Sequence, residues 1–285
     1  MNIIKRVQKL FFSESSFFMA IPALVWQVFF CIIPLILIIS GSFIAPTGYF
    51  FSLKNYTILF DTNHLYIILL SFFLALTTSI LCLLFGYPIA YWLARKVVIF
   101  KNLFLFLLIV PFWTNLLVLI YSWIFILEKS GILNNFLISI GLIQQPLAIL
   151  NNIVGILIVT FYCYLPFMVL PIFSVLEKID QNILEASADL GATGRQTITK
   201  VIIPLSWPGI KTGLLLVFVP VFGEFTIPLL IGGDKYMFTG NAIAHYVFTA
   251  LDLSKGAAFT IIASISLFMS IILLNWLLKR FIYRL

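Results

Sequence analysis

Six long apolar runs, separated by short polar segments, make up most of the chain. They lie at about residues 17–44, 65–94, 102–127, 152–176, 209–231 and 257–278. A helix of about 20 apolar residues, rising ~1.5 Å per residue, crosses the ~30 Å hydrocarbon core of a membrane. Each run reaches that length. The pattern therefore predicts an all-α integral membrane protein with six transmembrane helices.

A polar, helix-forming segment at residues 177–206 separates the fourth and fifth runs. Four apolar residues recur at i, i+4, i+7 and i+11, which places them in a stripe on one face of a helix. They are Ile179, Ile183, Ala186 and Leu190. Gly191 is typical of the left-handed residue that follows a helix. Thr193 can cap a second short helix, which Pro204 is expected to end. The segment is therefore predicted to be a helix–turn–helix, either docked on its own protein or in contact with a partner.

The composition agrees with a membrane protein. Of 285 residues, 62% are hydrophobic and 9% are charged, whereas a soluble domain carries about 25% charged residues. The net charge of +7 would suggest nucleic acid in a soluble protein, but here we attribute it to membrane topology and predict no nucleic-acid partner. Cys31, Cys82 and Cys163 lie in apolar runs without metal-ligand spacing, so no disulfide framework or metal site is predicted.

The distribution of Lys and Arg gives the orientation. With both chain ends on one side, four of the 17 basic residues fall on the other side, namely Lys54, Lys129, Lys235 and Lys255. Because Lys and Arg accumulate on the cytoplasmic side, both termini and residues 177–206 are predicted to be cytoplasmic. The predicted organisation is a basic arm (1–16), a membrane domain (17–278) and a tail (279–285). The first run is too long for a signal peptide.

The sequence offers no enzyme active site. The Gly191-Ala-Thr-Gly194 stretch lacks the Gly-Lys-Ser/Thr ending of a phosphate-binding loop. No nucleophile–base pair and no zinc-binding His-Glu motif stands out. We therefore predict a protein that is not an enzyme and carries no cofactor, so that any ATP hydrolysis must occur on another chain.

Glu224 is the one carboxylate inside a predicted span. A charge at that depth is costly, so it is expected to face a cavity or a partner group. Pro220, Gly223 and Pro228 interrupt the same run, and broken helices at membrane depth commonly line a pathway. The alternative is a structural glutamate that is paired with another helix or buried in its protonated form.

Aromatic residues of other spans are predicted to reach the same depth as Glu224. Counted from the ends of their spans, Trp113 and Tyr162 lie near the middle of the bilayer, and Tyr121 and Tyr164 are further candidates. A carboxylate beside aromatic faces suits an organic ammonium ion, through charge and cation–π attraction. The alternative is that these aromatic residues only pack in the protein or sit in the interfacial belt.

The segment at 177–206 resembles the Glu-Ala-Ala loop of ABC importer permeases. Glu185, Ala186, Gly191 and Pro204 match the spacing of that motif, whereas Ser187, Val201 and Ile203 depart from it mildly. The resemblance implies the fold of a type I ABC importer permease. It also implies that this loop is cytoplasmic and fits a groove on a separate ATPase subunit.

A closer resemblance, to the polyamine permeases of bacteria, covers residues from about 100 to the end. It is carried by Pro111-Phe112-Trp113-Thr114-Asn115 with Tyr121, by Leu165-Pro166 through Pro171, and by Phe222-Gly223-Glu224-Phe225 through Gly233. It implies a spermidine or putrescine importer of the bacterial inner membrane. The implied partners are a second homologous permease, two ATPase subunits, an extracytoplasmic polyamine-binding protein and membrane lipid.

In this interpretation Glu224 holds a substrate ammonium, and Trp113 and the tyrosines bracket its methylene groups. The choice between spermidine and putrescine stays open. Two alternatives also remain: a permease of the same type for another small solute, and a secondary carrier driven by an ion gradient.

Overall fold

The computed structural model describes residues 21–45, 48–97 and 99–282. The predicted basic arm (1–16), the start of the first apolar run and the last three residues of the tail lie outside these ranges. Within them the chain forms helices and one short β-hairpin. In chain order the elements are α1 (Ile21–Ser42), β1 (Ile44–Ala45), β2 (Gly48–Phe51), α2 (Lys54–Leu59), α3 (Thr62–Arg95), α4 (Lys101–Trp113), α5 (Leu116–Leu127), α6 (Ile132–Ser139), α7 (Ile153–Leu176), α8 (Gln181–Asp189), α9 (Gly194–Phe222), α10 (Thr226–Gly232), α11 (Thr239–Ala244) and α12 (Leu253–Ile282).

Six helical stretches of the described chain are long and apolar enough to cross a membrane. They are α1, α3, α5 together with α6, α7, α9 and α12. The prediction of an all-α membrane protein with six spans is therefore confirmed. The polar segment after the third predicted span also contains a short helix, α6.

Polar residues in front of several helices explain where those helices begin. In four cases a side-chain oxygen accepts a hydrogen bond from a backbone N–H in the first turn of the helix that follows. The capping residues are Asp61, Asn115, Asn152 and Asp180. Such caps satisfy donors that have no partner inside the helix. The local sequence therefore explains where these four helices begin.

The core of the molecule is formed by α3, α7 and α9, which pack against one another. Small residues allow the close approach that membrane helices use. A Cβ on Gly209 of α9 would lie 2.8 Å from the carbonyl oxygen of Pro171 in α7, and one on Gly86 of α3 would lie 3.2 Å from Met168. The periphery is different, since α1 packs chiefly along α12 and buries none of its side chains except Ser42.

The third predicted span, 102–127, is not one continuous helix. α4 ends at Trp113, and Thr114 adopts an extended backbone with φ −78° and ψ 151°. The side chain of Asn115 then accepts a hydrogen bond of 2.8 Å from the N–H of Leu117, which starts α5 as a new helix. The prediction of an unbroken span here is wrong because this cap competes with helix continuation.

The fifth predicted span, 209–231, is shifted toward the N-terminus. α9 begins at Gly194, ends at Phe222 and passes through Pro204, so the prediction that Pro204 ends a helix is wrong. A wide π-turn at Ile198–Ile202 precedes the proline, and the N–H of Ile203 donates to the carbonyl of Ile198. This widened turn lets the helix accommodate a residue that lacks an N–H.

The turn inside the 177–206 segment follows the prediction. Gly191 has a φ of +79°, which confirms the left-handed residue after α8. Thr193 and Gln196 form a reciprocal capping box at the start of α9: the hydroxyl of Thr193 accepts from the N–H of Gln196, and the side chain of Gln196 accepts from the N–H of Thr193. The helix–turn–helix is confirmed, with a second helix that continues into the membrane.

We predict that Gly209→Ala destabilises the α7–α9 contact by about 1–3 kcal/mol, because the added methyl meets main chain that cannot rotate away. Thermal unfolding of the purified, detergent-solubilised protein would measure the loss. Gly194→Ala is the matched control, since its methyl would meet nothing within 4 Å. Equal melting temperatures for the two variants would contradict the prediction.

Candidate functional site

Glu224 lies in a short break between two helices rather than inside one. α9 ends at Phe222 and α10 begins at Thr226, so residues 223–225 are not helical. The sequence prediction that this run is interrupted is confirmed: Gly223 lies in the break, and Pro220 and Pro228 lie in the helices on either side of it. The break frees backbone groups that a continuous helix would have paired, and it releases the Glu224 side chain from the surface of a helix.

The carboxylate of Glu224 uses both oxygens. Oε1 accepts hydrogen bonds from the backbone N–H groups of Thr226 and Ile227, at 2.9 and 3.4 Å, and so caps α10. Oε2 accepts from the phenol of Tyr164 on α7, at 2.7 Å. Neither of the ion pairs found in the described part of the chain involves Glu224.

A cavity of about 690 Å³ opens beside this carboxylate. Its wall combines the end of α4, the start of α5, one face of α7, the last turns of α9 and the break. The lining is mostly apolar and aromatic, and the lining residues of the described chain include Glu224 but no Lys, Arg or His. The site therefore presents one acidic group in an apolar and aromatic environment.

The structure brings together three of the five residues predicted for the pathway. Glu224, Tyr162 and Tyr164 line the cavity, whereas Trp113 and Tyr121 are not part of its lining. Trp113 is 76% exposed and packs edge-on against Phe106, and Tyr121 is 52% exposed.

The end of α4 contributes to this cavity a different aromatic residue from the one that the sequence singled out. Phe112, rather than Trp113, lines it and packs edge-on against Phe167 of α7, with the ring centroids 4.3 Å apart. Thr114 and Cys163 also line it. The Pro111–Asn115 motif did point to this place, but it does not say which side chain faces inward.

The segment at residues 177–206 is called the coupling segment, after the loop that it resembles. Of its predicted apolar stripe, Ile179 is half-buried against the core, but the other three residues do not face the body of the protein. Ile183, Ala186 and Leu190 are exposed, with Leu190 89% exposed. The inner face of α8 instead carries Ser187, whose hydroxyl bonds the carbonyl of Leu184 and lies 3.1 Å from the hydroxyl of Thr197. Glu185 is also exposed. An apolar stripe left open in this way favours contact with a partner over docking on the same chain.

The first residues of the coupling segment contact α3 and α4. The Arg95 guanidinium, at the end of α3, donates to the carbonyl of Ile179 at 2.7 Å. Lys101, at the start of α4, forms an ion pair with Glu177 and lies over the ring of Phe173. The residues between α7 and α8 are therefore linked directly to α3 and α4.

Comparison with known proteins gives the family. The family described as "Binding-protein-dependent transport system inner membrane component" matches residues 86–285, well over half of the chain. The chain belongs to this family. It is therefore a membrane component of a transport system, and the matched region contains the coupling segment, the break and the cavity.

Curated relatives of this permease are also transport permeases. It is 41% identical over 245 residues to the spermidine/putrescine transport system permease protein PotB of Escherichia coli (strain K12), covering 84% of this chain and 89% of that protein. It is 38% identical over 241 residues to PotB of Haemophilus influenzae, with 83% and 84% covered. The inner membrane ABC transporter permease protein YdcU of Escherichia coli (strain K12) is 33% identical over 225 residues, with 74% and 71% covered.

Solved structures support the fold of this permease. A bacterial ABC transporter involved in the import of the acidic polysaccharide alginate matches with a TM-score of 0.73 and 18% identity, over 98% of this chain and 99% of that chain. A second structure of an alginate ABC transporter, in complex with an alginate pentasaccharide-bound periplasmic protein, gives 0.75 and 17%, over 96% and 97%. At these identities the likeness concerns the fold alone.

We predict that Glu224→Leu destabilises this permease by about 1–3 kcal/mol, because it leaves the Tyr164 hydroxyl and two N–H groups of α10 without an acceptor. Glu224→Gln is expected to stay close to wild type, since its amide oxygen can still cap α10. Thermal unfolding in detergent would compare them. A Gln variant as unstable as the Leu variant would show that the carboxylate's charge, not its hydrogen bonds, supports the fold.

Proposed function

We propose that this permease imports polyamines, spermidine or putrescine, across the cytoplasmic membrane. The observation that carries the proposal is the pairing of one carboxylate with tyrosines in a cavity whose described lining contains no cationic side chain. The relatives named for spermidine and putrescine transport, at 38–41% identity over most of both chains, support the same substrate class.

The chemistry of the cavity suits an ammonium ion joined to methylene groups. An ionised carboxylate offers about four lone-pair directions. The three N–H and O–H donors around Glu224 leave room for one more, so an ammonium ion can still bind. In an apolar wall such a charged hydrogen bond is stronger than in water. Tyr162 also lines the cavity. Its ring would add cation–π attraction, and the apolar wall would receive the methylenes.

A second, homologous permease would complete the pathway. The apolar helix α4 buries none of its side chains within this chain, and Trp113 and Tyr121 lie exposed. We place Trp113 and Tyr121 in the part of the pathway that the second permease would enclose, where they bracket substrate together with Tyr162 and Tyr164.

The coupling segment would transmit ATP hydrolysis from outside this chain. In the proposed assembly, which holds two ATPase subunits, one of them binds the exposed stripe of α8 around Glu185 and Ala186, with Gly191 and Pro204 shaping the turn and the helix that follows. Both termini are cytoplasmic, and an extracytoplasmic binding protein delivers polyamine on the opposite side. ATPase closure then rocks the two permeases around the cavity.

Uptake of labelled spermidine and putrescine tests the proposal, in cells that express the whole transport system with and without this permease. We expect uptake to require the permease and to stop when ATP is exhausted. We expect Glu224→Gln to raise KM by at least about tenfold, because it removes a charged hydrogen bond to the substrate ammonium while keeping the cap on α10.

The other outcomes identify the alternatives. If the permease is needed but neither polyamine is carried, the substrate is another small solute. Uptake that continues without ATP while the ion gradient holds would indicate a secondary carrier. An unchanged KM in Glu224→Gln would remove Glu224 from the pathway.

A separate prediction concerns coupling. Gly191→Pro should uncouple ATP hydrolysis from transport, since proline fixes φ near −65° and Gly191 has a φ of +79°. We expect ATPase activity to persist in proteoliposomes while uptake per ATP falls strongly.

Gly194→Pro is the matched control for this change. Gly194 is the first residue of α9, where proline is well tolerated, and the preceding Thr193 already has an extended backbone. Normal coupling in Gly191→Pro, or equal loss in both variants, would count against this role of the turn.

A further inference from the structure

The break that carries Glu224 is shaped by a helix from the following segment. α11 approaches residues 223–225 so closely that a Cβ on Gly240 would lie 2.4 Å from the carbonyl oxygen of Gly223 and 3.0 Å from the carbonyl carbon of Glu224. Because these neighbours are main-chain atoms, they cannot move away by rotating a side chain. The absence of a side chain at Gly240 is therefore a condition for the present shape of the break.

A hydrogen bond from the next residue fixes the same break. The side-chain amide of Asn241 donates to the carbonyl of Phe225 at 3.1 Å. The same carbonyl also accepts a hydrogen bond of 3.0 Å from the N–H of Leu229 in α10, so Asn241 is its second donor and joins α11 to the start of α10. Gly240 and Asn241 together thus hold the main chain on both sides of Glu224.

α11 is itself firmly anchored. The N–H and the hydroxyl of Thr239 both lie within hydrogen-bond distance of the Ser71 hydroxyl on α3, at 2.7 and 2.9 Å, and both side chains are buried. Phe238, just before α11, is only 1% exposed. Because α11 is held against the α3–α7–α9 core, it can restrain the backbone of the break.

We propose that Gly240 and Asn241 are positioning residues, which fix the break so that the Glu224 carboxylate is aimed into the cavity. This inference rests on the proposed role of Glu224 in binding substrate. The physical reason is that a side chain on non-helical backbone keeps a defined direction only if neighbouring contacts hold that backbone. Neither residue lines the cavity, so both act through Glu224.

Asn241→Leu is the informative variant. It keeps the approximate size of the side chain and removes the donor to Phe225. The Asn241 Oδ1 atom is buried without a partner among the described residues, so its loss should not cost stability. Gly240→Ala is the second variant, and it displaces the break by steric contact.

The matched control is Asn135→Leu. The side-chain amide of Asn135 also donates to a backbone carbonyl, that of Ser130, at 3.0 Å, and it lies in α6 outside the cavity lining. This variant makes the same chemical change without touching the break.

The direction of the carboxylate can be measured without knowing the natural solute. Cys163 lines the same cavity as Glu224. In a Cys31→Ser, Cys82→Ser background, Cys163 is reacted with a small cationic methanethiosulfonate and with a neutral one of similar size. The ratio of the two rates reports the negative charge of Glu224 near the thiol, because a nearby anion concentrates the cation.

We expect the cation-to-neutral ratio to fall in Glu224→Gln, and to fall in Asn241→Leu and Gly240→Ala, while Asn135→Leu keeps the wild-type ratio. In Glu224→Gln the added Asn241→Leu change should have no further effect. In uptake, Asn241→Leu should raise the KM for polyamine about fivefold, which is the effect of losing one hydrogen bond, with little change in the maximal rate.

The outcomes separate the two proposals. A wild-type ratio in Asn241→Leu, or a further fall in the double variant, would overturn the positioning role whatever uptake shows. If the ratio falls as expected but wild-type cells take up no polyamine, the positioning role stands and the proposed function fails.

Discussion

The requirement that backbone polar groups be satisfied away from water governs this structure. Residues 223–225 interrupt a helical run in an apolar segment, so their freed groups need partners inside the protein. Glu224 supplies an acceptor for two N–H groups of α10. The carbonyl of Phe225 accepts from the N–H of Leu229 and also from the side-chain amide of Asn241. The hydrogen bonds by which Glu224 satisfies backbone groups at the break also hold its carboxylate beside the cavity.

The same helices connect the break to the coupling segment. α9 runs without interruption from the Thr193 cap to Phe222, 29 residues or about 43 Å. α7 carries Tyr164 at the cavity and ends where the coupling segment begins. Arg95 and Lys101 tie the base of that segment to α3 and α4. Continuous helices and short contacts therefore lie between this segment and the cavity.

Much of the candidate site could be predicted from the sequence, but not which side chains line its cavity. Pro220, Gly223 and Pro228 predict a broken helix, because these residues act on the local backbone. An acidic residue at such a break is a candidate for a functional carboxylate. Which aromatic residue faces the cavity depends on the rotation of α4 against α7. That rotation depends on packing between distant parts of the chain, and it turns Phe112 rather than Trp113 inward.

The sequence by itself determined the number of spans, the break at Glu224, the turn at Gly191 and the cap at Thr193, since each depends on local hydrophobicity or local backbone chemistry. Tertiary structure decided the rest. The π-turn that carries α9 through Pro204, the exposed stripe on α8 and the support of the break by α11 all involve the fit of whole helices. Gly240 and Asn241 follow Glu224 by 16 and 17 residues, and only the folding of α11 back onto residues 223–225 brings them into contact.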